Sequence, residues 1–234
     1  VENQASQIEA WLNENLASFQ MAKTIIEDLK PSDEELKTIL DGYYGYNSNY
    51  PEGLYVADST GQLITASEST KKESDVTNST WYKEGLTRVN MAVGSAYQNA
   101  DGVNVISASG ILNDGSDKVR VISADMTLDR IAIIVNSFIE MNDAEAFLVD
   151  KTSGVILANR DSSLISQTLG AEGQSHFYQL TAEKAAEKDY NFATLDGNMT
   201  VFKEVNGTNW LLVSYVPTRV VLADLAGLRN LMII

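Results

Sequence analysis

The chain has no cysteine, one histidine (His176) and three prolines among its 234 residues. Without thiols there can be no disulfide framework, thiolate nucleophile or zinc–sulfur site. One histidine cannot make a His pair at metal spacing, and no Gly-x-Ser-x-Gly elbow, Walker A loop or Gly-x-Gly-x-x-Gly motif is present. The Asp150 turn is too short and too poor in acids for an EF-hand loop. The chain is therefore expected to be no enzyme and to hold neither metal nor cofactor. Positive charge is scarce as well: 17 Lys and Arg stand against 32 Asp and Glu, for a net charge of −15. That balance excludes a nucleic-acid surface, which needs concentrated cations. Long apolar runs are missing too. Leu228-Arg-Asn-Leu-Met-Ile-Ile at the end is far short of the ~20 residues that span a bilayer, and reads either as a docked helix or as the first part of a transmembrane one.

What is there is an ordinary globular composition, 44% hydrophobic, patterned in clear periods. Ile8, Leu12, Leu16, Phe19, Ala22, Ile26 and Leu29 recur at steps of three and four, which predicts one helix over 1–30 that Pro31 stops. Trp11 and Ile25 widen its stripe beyond what one small domain covers, so the helix is expected to be shared with a second copy in a homodimer. Ser32 followed by Glu35 is a capping-box pattern for a second helix. A tyrosine-rich stretch, 42–51, precedes a predicted hairpin over 54–66. The polar segment 67–78 reads as a loop over a pocket or as a solvated surface. It leads to a helix at Trp81 and to strands over 93–98, 103–109 and 119–125. An apolar helix, 128–139, follows.

The second half echoes the first. Phe147-Leu-Val-Asp150 matches Tyr55-Val-Ala-Asp58, His176-Phe-Tyr178 matches Thr80-Trp-Tyr82, and Leu212-Val-Ser-Tyr-Val216 matches Val121-Ile-Ser-Ala-Asp125, at offsets of about 91 to 96 residues. In this alignment Asp125 falls opposite Val216, Trp81 opposite Phe177 and Ser79 opposite Ser175. Only the first copy keeps an acid on an otherwise apolar or small-residue strand, where burying it is costly without a partner. That points to a site in the first copy. Strand alternation puts Ser107 and Asp125 on pocket-facing positions, with Tyr97 and Trp81 as walls. A carboxylate beside aromatic faces suits a cationic group. The competing reading is that Asp125 caps the helix starting at Leu128.

The order of long helix, tyrosine-rich loop, hairpin, Trp81-Tyr82 helix, Ala96-Tyr97 strand and Val121-Ile-Ser-Ala-Asp125 strand, then a smaller repeat and an apolar exit helix, resembles a double Cache (dCache) sensor domain over nearly the whole chain. The resemblance implies an α/β (α+β) fold of two PAS-like antiparallel-sheet modules stacked along the N-terminal helix. The expected division is 1–30 long helix, 31–139 membrane-distal ligand-binding module, 140–217 membrane-proximal module and 218–234 exit helix. It implies the extracytoplasmic part of a bacterial transmembrane chemoreceptor, or alternatively of a sensor histidine kinase or cyclic-dinucleotide enzyme. A structural surface module with no small ligand is a third reading. Expected partners are a small-molecule ligand, a second copy through the N-terminal helix and the membrane through flanking helices. Carried over residue by residue, Trp81 and Tyr97 would enclose the ligand and Asp125 would receive its amine. Asn99 stands where the family's amino-acid binders carry an acid, Ser79 where they carry the carboxylate-holding arginine, and Ser74 where they carry a tyrosine. Ligand-binding residues are thus expected to be Trp81, Tyr97, Asn99, Ser107 and Asp125. An amine or neutral polar ligand fits them better than a standard amino acid, with Lys71, Lys72 or Lys83 as possible stand-ins for the arginine.

Overall fold

A computed structural model describes residues 2–138 and 145–233. The chain forms two compact units, Glu9–Arg130 (the first module) and a second module made of the residues through Ile8 with those from Ile131 onward. Helix α1 (Glu2–Leu29) contributes residues to both. The expected borders at 30/31 and 217/218 therefore do not coincide with the compact units, and the one at 139/140 lies outside the described residues.

Most of the expected stripe of α1 is buried, at Ile8, Leu12, Phe19, Ala22 and Ile26, with Ala5 beside it, while Leu16 is only half-buried next to a buried Asn15. Leu29 departs from it. Together with Met21 and Ile25 it forms a second stripe at steps of four, and the three are 65%, 65% and 43% exposed in the order Met21, Leu29, Ile25. The helix ends at Lys30, whose φ of 47° turns the chain. Helix α2 (Asp33–Asp41) then opens with the predicted capping box. Ser32 Oγ accepts from the Glu35 amide and donates to the Glu35 carboxylate.

The sheet of the first module contains β1 (Tyr55–Asp58), β2 (Leu63–Ile64), β3 (Ala92–Val93), β4 (Tyr97–Gln98), β5 (Asn104–Leu112) and β6 (Arg120–Thr127). Its order is β2-β1-β6-β5-β3, with β4 also on β5, and all pairings are antiparallel. The single strand expected over 93–98 is split in two. Helix α3 (Thr80–Leu86) lays the Glu84 carboxylate over Gly94, and the Ser95 amide donates to it at 2.9 Å instead of to a neighbouring strand. The apolar cluster under α3 is Tyr55, Ala57, Val76, Trp81, Tyr82 and Val121.

Helix α4 (Leu128–Ser137) follows β6. The second module repeats the sheet with β7 (Glu145–Asp150), β8 (Ile156–Ala158), β9 (Ala193–Leu195), β10 (Asn198–Val205) and β11 (Trp210–Pro217), in the order β8-β7-β11-β10-β9. Helix α5 (His176–Ala186) covers it as α3 covers the first, and α6 (Thr218–Met232) leaves it with Leu222, Leu225, Leu228, Leu231 and Met232 exposed. Among the described residues no helix is long and apolar enough to cross a membrane.

The two ladders correct the sequence comparison by one residue. Tyr55 pairs with Ser123 and Phe147 pairs with Val213. Tyr55 and Phe147 are equivalent, each three residues before an aspartate (Asp58, Asp150) that caps its turn. Ser123 therefore corresponds to Val213, and Asp125 to Tyr215 rather than to Val216. The shared serines, Ser123 and Ser214, pulled the alignment out of register, and a one-residue slip exchanges the two faces of a strand.

Gly85 lets α3 lie close on β6, since a Cβ there would come within 2.3 Å of the Val121 side chain. Gly85→Ala should cost about 1–3 kcal/mol in urea unfolding by overpacking. Gly85→Ala with Val121→Ala should cost less than the sum of the two single changes.

Candidate functional site

The site lies on the α3-facing side of the first sheet. Ser107 and Asp125 are partners across β5 and β6, and Tyr55 enters the same face from β1. Tyr55, Trp81 and Ser107 are buried. Asp125 Oδ1 accepts from Tyr55 Oη at 2.5 Å and from Ser107 Oγ at 2.6 Å. Because the one Ser107 proton is committed to Asp125, Tyr97 Oη, 2.5 Å from Ser107 Oγ, must be the donor of that contact. The result is a directed chain from Tyr97 through Ser107 to Asp125, with Tyr55 as second donor.

Asp125 Oδ2 is held by Lys71. Its Nζ donates at 2.9 Å, and the two side chains are only 6% and 15% exposed, Lys71 and Asp125 respectively. The same ammonium lies over the Tyr55 ring, 4.3 Å from its centroid, and 5.8 Å from that of Trp81. Tyr55 and Trp81 meet edge to face at 4.8 Å, so carboxylate and two rings form a three-sided receiver for a cation. Asp125 does not cap α4. Thr127 Oγ1 does so, accepting from the Arg130 amide.

The segment 67–79 is pinned at several points. Ser67 donates to Asp41, Ser69 and Thr70 donate to Glu52, and Trp81 Nε1 donates to Glu73 at 3.2 Å. Between these anchors and the Asp125–Lys71 pair lies a cavity of about 170 Å³ lined in part by Lys72, Asn99, Val105 and Asp125. Asn99 borders it, but its Oδ1 accepts from the Asp101 and Val103 amides and so closes the β4–β5 turn. Ser79 precedes α3 and its Oγ donates to the Val76 carbonyl. Lys83 is exposed on the outer side of α3. A larger open hollow of about 770 Å³ lies between α1 and the β5–β6 turn. Its buried cations are already matched, Lys23 to Glu27 and Arg120 to Asp114 and Asp33, so its size does not make it the better site.

Structure thus brings together Trp81, Tyr97, Ser107 and Asp125, and leaves Asn99 at the margin. Two members escape a reading of the sequence. Tyr55 looks like any strand aromatic until its partner across the ladder is known. Lys71, one of three lysines weighed for a ligand carboxylate, instead sits where a ligand amine was expected.

In the second module the corresponding place is filled by rings. Tyr215 packs on Phe177 at 4.4 Å between centroids and on Phe147 at 6.3 Å, and Tyr178 lies 5.3 Å from Phe147. Among the described residues the acid-bearing receiver of the first module has no counterpart there.

Burial, then the Asp125 charge, push the Tyr55, Tyr97 and Tyr50 phenols above their ordinary value, and burial pushes Tyr215 up as well. These groups remain O–H donors throughout the neutral range. A raised folded-state value means that the stability they confer is complete below the unfolded tyrosine value near 10 and is lost above it. Folding stability is therefore expected to fall beyond about pH 10. Absorbance titration at about 295 nm, a phenolate band, should leave these four phenols un-ionised until the alkaline unfolding transition.

A family model described as Cache domain (dCache_1) matches residues 1–225. The fold is similar to that of the ligand-binding domain of the Pseudomonas fluorescens chemoreceptor CtaA, solved with L-isoleucine, at 19% identity and TM-score 0.70 over 95% of this chain and 91% of that one. It is also similar to the extracellular domain of mmHK1S-Z3, described as a histidine kinase, at 18% identity and TM-score 0.72 over 97% and 94%. A third similar structure is the Pseudomonas aeruginosa PAO1 amino acid chemoreceptor PctB with L-Gln, at 20% identity and TM-score 0.66 over 92% and 87%. No curated protein matches the chain. With its model matched from residue 1 to 225 and two like-ordered sheets accounted for, the chain belongs to the Cache-domain family, in the double form dCache_1.

Proposed function

We propose that this chain is the extracytoplasmic sensing domain of a bacterial transmembrane receptor, that it binds a small polar molecule in the first module, and that it acts without catalysis. The observation that carries the reading is the partly buried donor chain from Tyr97 and Ser107 to Asp125, closed by Tyr55, Trp81 and the 67–79 segment. A merely structural module has no need of a buried carboxylate at this place, and the second module replaces it with Tyr215. The ligand-binding set is Trp81, Tyr97, Ser107 and Asp125, with Asn99 at its edge. CtaA and PctB, which share the fold, are described with amino acids bound. This chain lacks the arginine at Ser79, and its ligand class is set by what the Asp125 end of the pocket accepts.

A kinase output is the second reading, favoured by the likeness to mmHK1S-Z3; the sensing step is the same in both. Ligand binding would move the pinned segment 67–79, and a small displacement of the exit helix α6 would carry the signal. The outward stripe of α1, Met21, Ile25 and Leu29, is the surface that a second copy would cover. Phe19 is not part of it, because it is buried against Tyr50 at 4.6 Å.

The test is thermal melting of the wild-type domain against amines, nucleobases, amino acids and short organic acids. A ligand at a hundred times its dissociation constant should add about 2.7 kcal/mol, and Ser107→Ala should weaken the response to that same compound. No shift with any compound would overturn the reading. For the dimer, Met21→Glu with Ile25→Glu should lower the mass seen by sedimentation at high concentration, while leaving the melting of the domain unchanged.

A further inference from the structure

The receiver at Asp125 has three contacts to offer a cation: one carboxylate oxygen and two aromatic faces. All three are used by Lys71. Oδ1 already accepts two short O–H donors, so Oδ2 is the oxygen left for a charge partner, and a second ammonium would have to share it with Nζ. Placing a second buried cation within the same contact distance is repulsive. An ammonium compound can therefore enter only as Lys71 leaves.

Leaving is built into the segment that carries it. On its N-terminal side Lys71 is held by hydroxyl–carboxylate and amide–carboxylate contacts, Ser67 to Asp41 and Ser69 and Thr70 to Glu52, and on its C-terminal side by Glu73, which accepts from Trp81 at 3.2 Å; all are exposed or only partly buried. Water replaces such contacts at little net cost. The 170 Å³ cavity reaches Lys71 and Asp125, which gives a small amine a path to the oxygen.

We propose that Lys71 is an internal ligand: its ammonium occupies the cation receiver of the first module, it determines that the site takes a small primary ammonium compound only by displacement, and the 67–79 segment is released when that happens. This deepens the sensor reading above and rests on it. The same exchange supplies the switch. With Lys71 in place the segment is closed over Trp81; with a soluble ammonium in its place, the side chain and the backbone that carries it are freed.

Removing the side chain beyond Cβ deletes three methylenes and an ammonium, which is n-propylammonium. Lys71→Ala should therefore bind n-propylammonium chloride, measured by calorimetry and melting at constant ionic strength, roughly tenfold or more tightly than wild type, since a desolvated cation–π contact alone is worth that factor. Lys71→Met, which keeps the stem and loses the charge, should gain nothing, and Lys71→Ala with Asp125→Asn should lose the gain. If Lys71→Ala does not fold in sodium chloride, recovery of a cooperative melt in n-propylammonium chloride supports the proposal, and failure to recover overturns it. A folded Lys71→Ala with wild-type affinity for n-propylammonium also overturns it. The two readings fail separately. A wild-type response to a panel compound with no gain in Lys71→Ala rejects the internal ligand alone. A gain in Lys71→Ala with no wild-type response to any compound rejects the sensor reading and the displacement switch built on it, and leaves only the occupancy of the receiver by Lys71.

Discussion

A carboxylate on the inner face of a sheet has to be paired, and the pocket of the first module is arranged around that requirement at Asp125. Two hydroxyl donors saturate one oxygen and an ammonium holds the other. Each donor is itself held: Ser107 by Tyr97, Tyr55 by the Trp81 edge contact, Lys71 by the segment pinned to Glu52. Burial, then the Asp125 charge, raises the two phenols, so both remain O–H donors through the neutral range. Taking away one partner of such a buried pair leaves a charge without solvent, which costs several kcal/mol, typically about 3–5. The cost is what ties the loop to the sheet.

The second module is the natural control for this arrangement. Its sheet has the same strand order, and its helix α5 lies where α3 lies in the first. At the place of the acid it carries Tyr215, and the rings of Phe147, Phe177 and Tyr178 fill the space around it. An aromatic cluster is self-sufficient, because ring edges and faces satisfy one another. A buried acid is not, because it needs a cation that the chain or a ligand must supply. The same fold is thus stable both ways, and only one of the two versions has a place that a soluble ion can contest.

The surroundings of the pocket are held by ordinary means. Gln20 on α1 accepts from the Met91 amide, Arg120 joins Asp33 and Asp114, and Gly85 lets α3 press on Val121. The last of these holds the helix that carries Trp81 close on the sheet. The 67–79 segment contributes no regular strand and only one short helical turn, at Val76–Asn78, and relies on side-chain anchors. A floor held by strand ladders under a cover held by side-chain contacts is an arrangement suited to sensing, since side-chain contacts can exchange while the ladders persist.

Much of the architecture is legible in the residues alone. The step of three and four in α1, the Ser32–Glu35 box and the two hairpin turns capped by Asp58 and Asp150 are local patterns, and local patterns survive without coordinates. The two-copy layout and the importance of Asp125 follow from comparing the halves. Other features depend on groups that meet only across the fold. Leu29 turns outward because the buried stripe ends at Ile26; the strand over 93–98 breaks because Glu84 reaches Gly94 from a different element. Asp125 answers to Tyr215 and not Val216, because register is set by ladder pairing and a matching serine misleads by one residue. Lys71 lies in a polar stretch with no period, so nothing in its neighbours distinguishes it from Lys72. Sequence determines that an acid is buried on this strand and therefore needs a cation. Tertiary structure decides that the cation is the chain's own, because the lysine and the carboxylate are 54 residues apart and are brought within 2.9 Å only by closing the segment over the sheet.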